Sequence, residues 1–401
     1  MGTVETLAGL ALVLSGCGIA SGSDGPLSSA GFAQTAEPSL AGYATRSFGD
    51  ALANRCAEDV ASGFDALPGA PSGKLRYRSL GGRRLPPFNA KLADFAGWEP
   101  HVQSIARLSL PWQDNLWAAV SRSNPGHQGG AGVFLIYLDG ANGADGTRWL
   151  LPDQNLVGEP PSGRRSVLYY PMADTDHPGG MQAVGDYLVV AAEAPEGEPP
   201  FVEIWQRAAD DVAYAPLQHL PFWGDLGEPV APSRFITAAA MTLLDSGQYL
   251  LFVLGKDEEL QGWFYLSDPA PLGAESAWSF LGYVALPAYY QNVGLITECD
   301  TRQVFLIATD NVGFDGRPDS GSEYADLMPV SWDTASAAVQ LPLVARRDFS
   351  AGGGGYCTFR AAADSFVDRD GQLALYCHAY KANTDLFGSA DSKLKLAEYA
   401  P

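Results

Sequence analysis

Positive charge is scarce in this chain of 401 residues: 25 lysines and arginines stand against 46 aspartates and glutamates, a net charge of −21. A field of that sign repels phosphate backbones and anionic headgroups, so nucleic acid is not expected as a partner. Beyond the N-terminus, no apolar run reaches the roughly 20 residues that a bilayer-spanning helix needs. No C-x-x-C pair occurs, which removes support for a zinc ribbon or a thioredoxin-like centre. A helical H-E-x-x-H, a G-x-S-x-G elbow and a phosphate-binding loop are also missing, so the common metalloprotease, hydrolase-elbow and nucleotide signatures give no lead.

What is present points to a folded, turn-rich protein. Hydrophobic residues make up 46% and charged residues 18%, enough to bury a full core. The 45 glycines and 28 prolines are spread between short apolar runs, as expected of many turns joining short strands. The acidic surface is read first as a solvated face that also admits cationic partners. The loop "DGRPDSGSEYAD" does not match an EF-hand, so it gives Ca²⁺ little support.

Five apolar runs repeat along the body: "LWAAV" from Leu116, "YLVVAA" from Tyr187, "YLLFVL" from Tyr249, "VFLIAT" from Val304 and "LALYCH" from Leu373. They are too short and too continuously apolar for helices. Three follow a turn pair: Gly185-Asp186, Gly247-Gln248 and Gly371-Gln372. A strand precedes each run ("VQSIARLS", "GMQAV", "ITAAAMTLL", "NVGLIT", "FRAAADSFV"). A third follows each, and a fourth follows four of them: "RWLL", "YAPLQHL", "WSFLGYVAL" and "AVQLPLVA".

This recurrence resembles a β-propeller, in which each four-stranded sheet is a blade. WD and kelch signatures are absent, so the resemblance is to the architecture. The fifth unit stops after three strands, and "KLRYRS" (74–79) is placed to supply its fourth. The expectation is an all-β, five-bladed β-propeller over residues 74–401, closed by an N-terminal strand. Residues 43–73 read as a short helical extension and residues 18–42 as a flexible tether.

The N-terminus, "TLAGLALVLSGC", resembles a bacterial lipoprotein leader, with Leu14-Ser15-Gly16 before Cys17. The resemblance implies cleavage before Cys17, lipidation of its thiol and attachment to the cell envelope. Glu5 stands where such leaders usually carry Lys or Arg; an ordinary secretory leader, with release of a secreted protein, is the alternative. Four cysteines then remain: Cys56, Cys299, Cys357 and Cys377. They form two disulfides or stay as buried thiols, and three pairings are open. Cys357 and Cys377 flank one expected hairpin and are the nearest candidates.

In a propeller the innermost strand of each blade runs down from the upper face and the second strand returns. That scheme sends His101 and His177 to the upper starts of innermost strands, His127 to an upper loop and His378 to the upper end of a second strand. Glu193 and Asp310 end second strands at the same face. The glycine run before Tyr356 would let a ligand approach the backbone there. These seven residues form the candidate binding set, and long loops on a rigid scaffold commonly carry such sites. The function expected is ligand binding without catalysis by a monomer, the ligand being a small molecule, a glycan or a protein. A glycosidase using Asp174, Asp176, Glu193 or Asp310 is the alternative. A propeller metalloenzyme using His101, His127, His177 and His378 is a third reading. Trp98, Trp112, Tyr289 and Tyr290 are candidates for stacking on sugars or for packing between blades. Cofactor and metal content stay open at this point.

Overall fold

The computed structural model describes residues 56–78, 102–110, 113–123, 131–137, 154–157, 167–172, 174–175, 177–194, 198–208, 213–222, 236–256, 260–269, 271–312, 322–333, 338–350, 357–360, 362–367, 371–378 and 393–401. Among them lies one helix, α1 (Val60–Ala66), followed by β1 (Gly73–Arg78). The first four-stranded sheet is β2 (Val102–Leu110), β3 (Gln113–Arg122), β4 (Gly132–Tyr137) and, after β5 (Gln154–Val157), β6 (Val167–Pro171). The second is β7 (His177–Val184), β8 (Tyr187–Glu193), β9 (Phe201–Arg207) and β10 (Tyr214–Pro221). The third is β11 (Ile236–Leu243), β12 (Gln248–Lys256), β13 (Leu260–Pro269) and β14 (Trp278–Ala285), and a parallel bridge between Gly180 and Ala238 joins it to the second in one eight-stranded order.

The fourth sheet holds β15 (Asn292–Thr297), β16 (Val304–Val312) and β17 (Ser322–Asp333). Its last position is shared by β18 (Ala338–Gln340) and β19 (Ala345–Phe349). The fifth holds β20 (Ala363–Val367), β21 (Leu373–His378) and β22 (Lys393–Tyr399). On its outer side β1 pairs antiparallel with β22, Gly73 opposite Glu398, and β5 then pairs parallel with β1.

The first strands of the five sheets, β2, β7, β11, β15 and β20, neighbour one another in that order, and β20 neighbours β2 again. The apolar cores follow the same cycle. One core joins the first sheet to both the second and the fifth through Ile105, Phe134, Leu188, Trp205 and Phe366. Others join second to third, third to fourth and fourth to fifth. The chain is therefore all-β and propeller-like, with its core in the wedges between sheets.

The turn glycines explain themselves locally. Gly185, Gly247 and Gly371 have φ of 55°, 80° and 76°, a region that costs any residue with a Cβ. Two expected fourth strands differ from the observed ones. In the first sheet the strand paired with β4 is β6, whereas "RWLL" lies outside the described residues. In the fourth sheet the run "AVQLPLVA" does not form one strand, because Pro342 offers no N–H to a ladder. β18 stops at Gln340, and "ARRDF" pairs with the first half of β17 as β19.

The helical extension is seated between the fourth and fifth sheets. Asp59 caps α1 by accepting from the Ser62 backbone N–H at 2.8 Å, and Val60 and Phe64 enter the core there. Arg347 donates to the Phe64 carbonyl at the other end at 2.7 Å. A Cys56–Cys299 disulfide (Cα–Cα 4.9 Å) and backbone bonds from Ala57 to Thr297 and from Cys299 to Ala57 fix the segment to the β15–β16 turn. The second disulfide joins Cys357 to Cys377. Between the fifth and first sheets runs a buried polar chain. Arg107 N–H donates to Asp364, its guanidinium donates to Tyr376 Oη at 3.1 Å, and Tyr376 donates to Glu398 at 2.9 Å. Burial pushes the Asp364 carboxyl well above the ordinary range, against the Arg107 and Ser365 backbone bonds.

Candidate functional site

Polar residues stand at or near the starts of four of the first strands: Gln103 on β2, His177 on β7, Thr237 on β11 and Asn292 on β15. His177 and Glu193 are direct partners in the β7–β8 ladder. His177 Nδ1 lies 2.7 Å from Glu193 Oε2, both side chains being 21% exposed. Since an ionised carboxylate only accepts, this contact puts the imidazole proton on Nδ1. Nε2 then accepts from the side-chain amide of Gln103 in the first sheet. Thr175 braces the pair: its hydroxyl accepts from His177 N at 2.9 Å and donates to the Glu193 carbonyl. His177 is thus held from three sides, and part of its ring faces out.

Below this rim the strands crowd together. A Cβ on Gly179 would meet the Thr237 carbonyl oxygen at 2.3 Å, and one on Gly180 would meet Ala238 Cβ at 2.4 Å. Glycine is needed here because two backbones touch. Deeper still, Gln182 crosses the axis from the second sheet to the fourth. Its Oε1 accepts from Met241 N (3.0 Å) and Leu295 N (3.1 Å), and its Nε2 donates to the Leu295 carbonyl (3.0 Å). Gln182 thus ties β7, β11 and β15 together below the rim.

Two atoms near the starts of β11 and β15 stand out. Thr237 and Asn292 are 3% and 2% exposed, yet Thr237 Oγ1 and Asn292 Oδ1 find no hydrogen-bond partner among the described residues. The other end of the Asn292 amide donates to the Phe359 carbonyl at 3.0 Å.

A second polar group lies between the fourth and fifth sheets. Glu323, at the start of β17, faces Asn311 across the ladder. Its carboxyl accepts from Asn311 Nδ2 at 2.8 Å and from Phe359 N at 2.6 Å. Burial pushes its pKa up to about 7, opposed by the bonds from Phe359, Asn311 and Thr358 and reinforced by the charge of Asp310. A carboxyl with that pKa can hold or release a proton at neutral pH. Both Asp310 and Glu323 are 1% exposed.

The sequence candidates fall into three groups. His177 and Glu193 come together at the mouth. Asp310 and His378, the latter wholly buried at the end of β21, lie inside the protein. His101, His127, Tyr356 and Cys17 lie outside the described residues, as do Trp98, Trp112 and Asp176. Tyr290 is buried and donates to Asp326, so it packs, and the Arg360 guanidinium lies over the Tyr289 ring. Among the described residues no group of three His, Cys, Asp or Glu side chains is arranged to hold a metal ion. Sequence reasoning missed Gln103, Thr237 and Asn292. They are uncharged strand residues, and nothing but their place at the top of an innermost strand distinguishes them.

No family model and no curated protein matches the chain. Among solved structures it is similar to a fructosyltransferase from A. japonicus, with a TM-score of 0.42 and 12% identity over 75% of this chain and 60% of that one. It is also similar to a fructofuranosidase variant from Schwanniomyces occidentalis complexed with fructosylnystose (0.43, 8%, 89% and 59%). A third is an α-L-arabinanase from Penicillium chrysogenum complexed with arabinobiose (0.37, 11%, 82% and 98%). The chain spans less than two thirds of the length of the first two.

Proposed function

We propose that this chain is a five-bladed β-propeller, closed by its N-terminal strand, that binds a ligand at the upper mouth without transforming it. The β1–β22 pairing and the cyclic order of the cores support the closure. The observation that carries the function is the His177 cluster. A partly exposed imidazole is held by Glu193, Gln103 and the Thr175 brace. Rigid placement of a polar group at the edge of a concavity is what a binding site requires. The carboxylates nearby are engaged: Glu193 with His177, and Glu323 with Asn311 and Phe359.

Export through the N-terminal leader and a lipid on Cys17 would hold this face off a membrane at the end of the tether. Cys17→Ala then abolishes labelling by a fatty-acid analogue, and unchanged labelling refutes the anchor.

A second reading, hydrolysis of a glycan, is favoured by one observation: a carboxyl titrating near neutrality, Glu323, beside a second carboxyl, Asp310. The two readings separate in a joint screen of binding and hydrolysis. Binding that is lost in His177→Ala with the melting temperature kept, and no released product, supports the first. Product release that disappears in Glu323→Gln replaces it with the second. A His177→Ala variant that melts lower but binds normally overturns the site.

A further inference from the structure

Two unpartnered groups near His177 show which chemistry would meet them. Thr237 and Asn292 sit on neighbouring innermost strands, β11 and β15. The hydroxyls of Thr242 and Thr297 lie 3.2 Å apart further down the same two strands. Thr237 lies in the bulge between Ile236 and Ala238, where the ladder with β12 is broken. Asn292 Oδ1 points across the axis, 3.3 Å from where a Cβ on Gly180 would be.

Burying a polar atom without a partner costs about 1–3 kcal/mol, and native proteins keep few such atoms. Here two occur near the starts of neighbouring strands, at the face already read as the binding face. Asn292 Oδ1 can only accept, so it calls for a donor, whereas the Thr237 hydroxyl both donates and accepts. A pair of hydroxyl groups on one ligand satisfies both. The polar side chains Gln103, Thr237 and Asn292 are uncharged, and Glu193 is bound to His177. An ammonium or phosphate group beside Thr237 and Asn292 would lose its hydration against uncharged partners.

We infer that Thr237 and Asn292 bind hydroxyl groups of an uncharged, polyhydroxylated ligand, a sugar or sugar alcohol, at the upper mouth. The inference rests on the mouth being the binding face, and it adds the ligand class and two residues that contact it.

The test uses the purified full chain on an array of neutral oligosaccharides and sugar alcohols, followed by titration calorimetry with the strongest hit. Spermidine and inorganic phosphate serve as charged probes. Thr237→Val, which keeps the shape and removes the hydroxyl, is expected to weaken sugar binding about tenfold or more. In the ligand-free protein its melting temperature should stay or rise by about 1–3 °C, because a buried unpaired hydroxyl is gone. Asn292→Ala should weaken binding similarly. A hydroxyl that only holds an internal water would behave in the opposite way, with Thr237→Val melting lower and binding unchanged. That result overturns the inference, as does an array with no sugar bound or one of the charged probes bound in place of sugar. If sugar binding is lost in His177→Ala but survives both new substitutions, the mouth reading stands and this inference fails.

Discussion

Replacing Gln182 with leucine should cost several kilocalories, because this side chain spans the axis and has three bonds to lose. The substitution leaves Met241 N–H, Leu295 N–H and the Leu295 carbonyl without their partner in a fully buried place. At about 1–3 kcal/mol for each orphaned group, partly offset by the added apolar surface, the loss is about 3–6 kcal/mol. For a domain of this size roughly 2 °C of melting temperature accompanies each kcal/mol, so the fall is about 6–12 °C. Differential scanning calorimetry measures it directly. Gln182→Glu makes the test specific to hydrogen bonding. Protonated, its carboxyl reproduces the amide, one oxygen accepting from the two N–H groups and the O–H donating to the Leu295 carbonyl. Ionised, it sets a buried negative charge against that carbonyl oxygen. The variant should approach wild-type stability at acid pH and lose it as pH rises. If Gln182→Leu melts within a degree or two of wild type, or Gln182→Glu shows no such pH dependence, the bonds across the axis do not hold the sheets together as argued.

Glu323 carries a second pH signature. Its folded-state pKa of about 7 lies above the ordinary value of 4.5. Its contribution is therefore fully present below pH 4.5 and lost as pH rises through about 7, on the order of 3 kcal/mol. Urea midpoints at pH 4.5 and pH 8 should show this fall in wild type and a smaller one in Glu323→Gln; equal falls would refute the assignment. Deleting residues 73–78 removes the strand paired with β22, and the exposed edge should cause aggregation or a large drop in melting temperature. Deleting residues 18–42 should leave melting nearly unchanged, and equal tolerance of both deletions would count against closure by β1.

The strand order was legible because the second strand of each sheet holds a short apolar run, and because Gly185, Gly247 and Gly371 mark the turn before three of them. The edges were harder. An outer strand is half solvated and short, so "VLYYP" and "RWLL" look alike on paper, and only pairing with β4 selects the former. Pro342 was visible, but its effect, splitting one outer strand into β18 and β19, depends on which N–H groups the ladder needs. His177 and Glu193 meet because they begin one strand and end the next, a relation that follows from the hairpin alone. The neighbours from other sheets do not. Gln103, Thr237 and Asn292 reach the mouth only through the ring, and uncharged polar residues within strands carry no pattern that separates them from solvated ones. Disulfide pairing has the same character. Cys357 and Cys377 share a hairpin, whereas Cys56 and Cys299 lie 243 residues apart in sequence.

The seam between β1 and β22 also sets a timetable. Ser72, just before β1, bonds to Glu398, 326 residues away. As the chain emerges from the ribosome, β1 can pair with β5 once residues 154–157 are made, but its antiparallel partner β22 is missing until residues 393–399 follow. Contacts of such long range form slowly, so the earlier sheets stand without the β1–β22 seam until the last strand is made. A chain that crosses a membrane in extended form meets the same delay on the far side. Under that timetable the β1–β22 seam forms last, and a truncated or stalled product would be left with an edge strand that pairs with other chains.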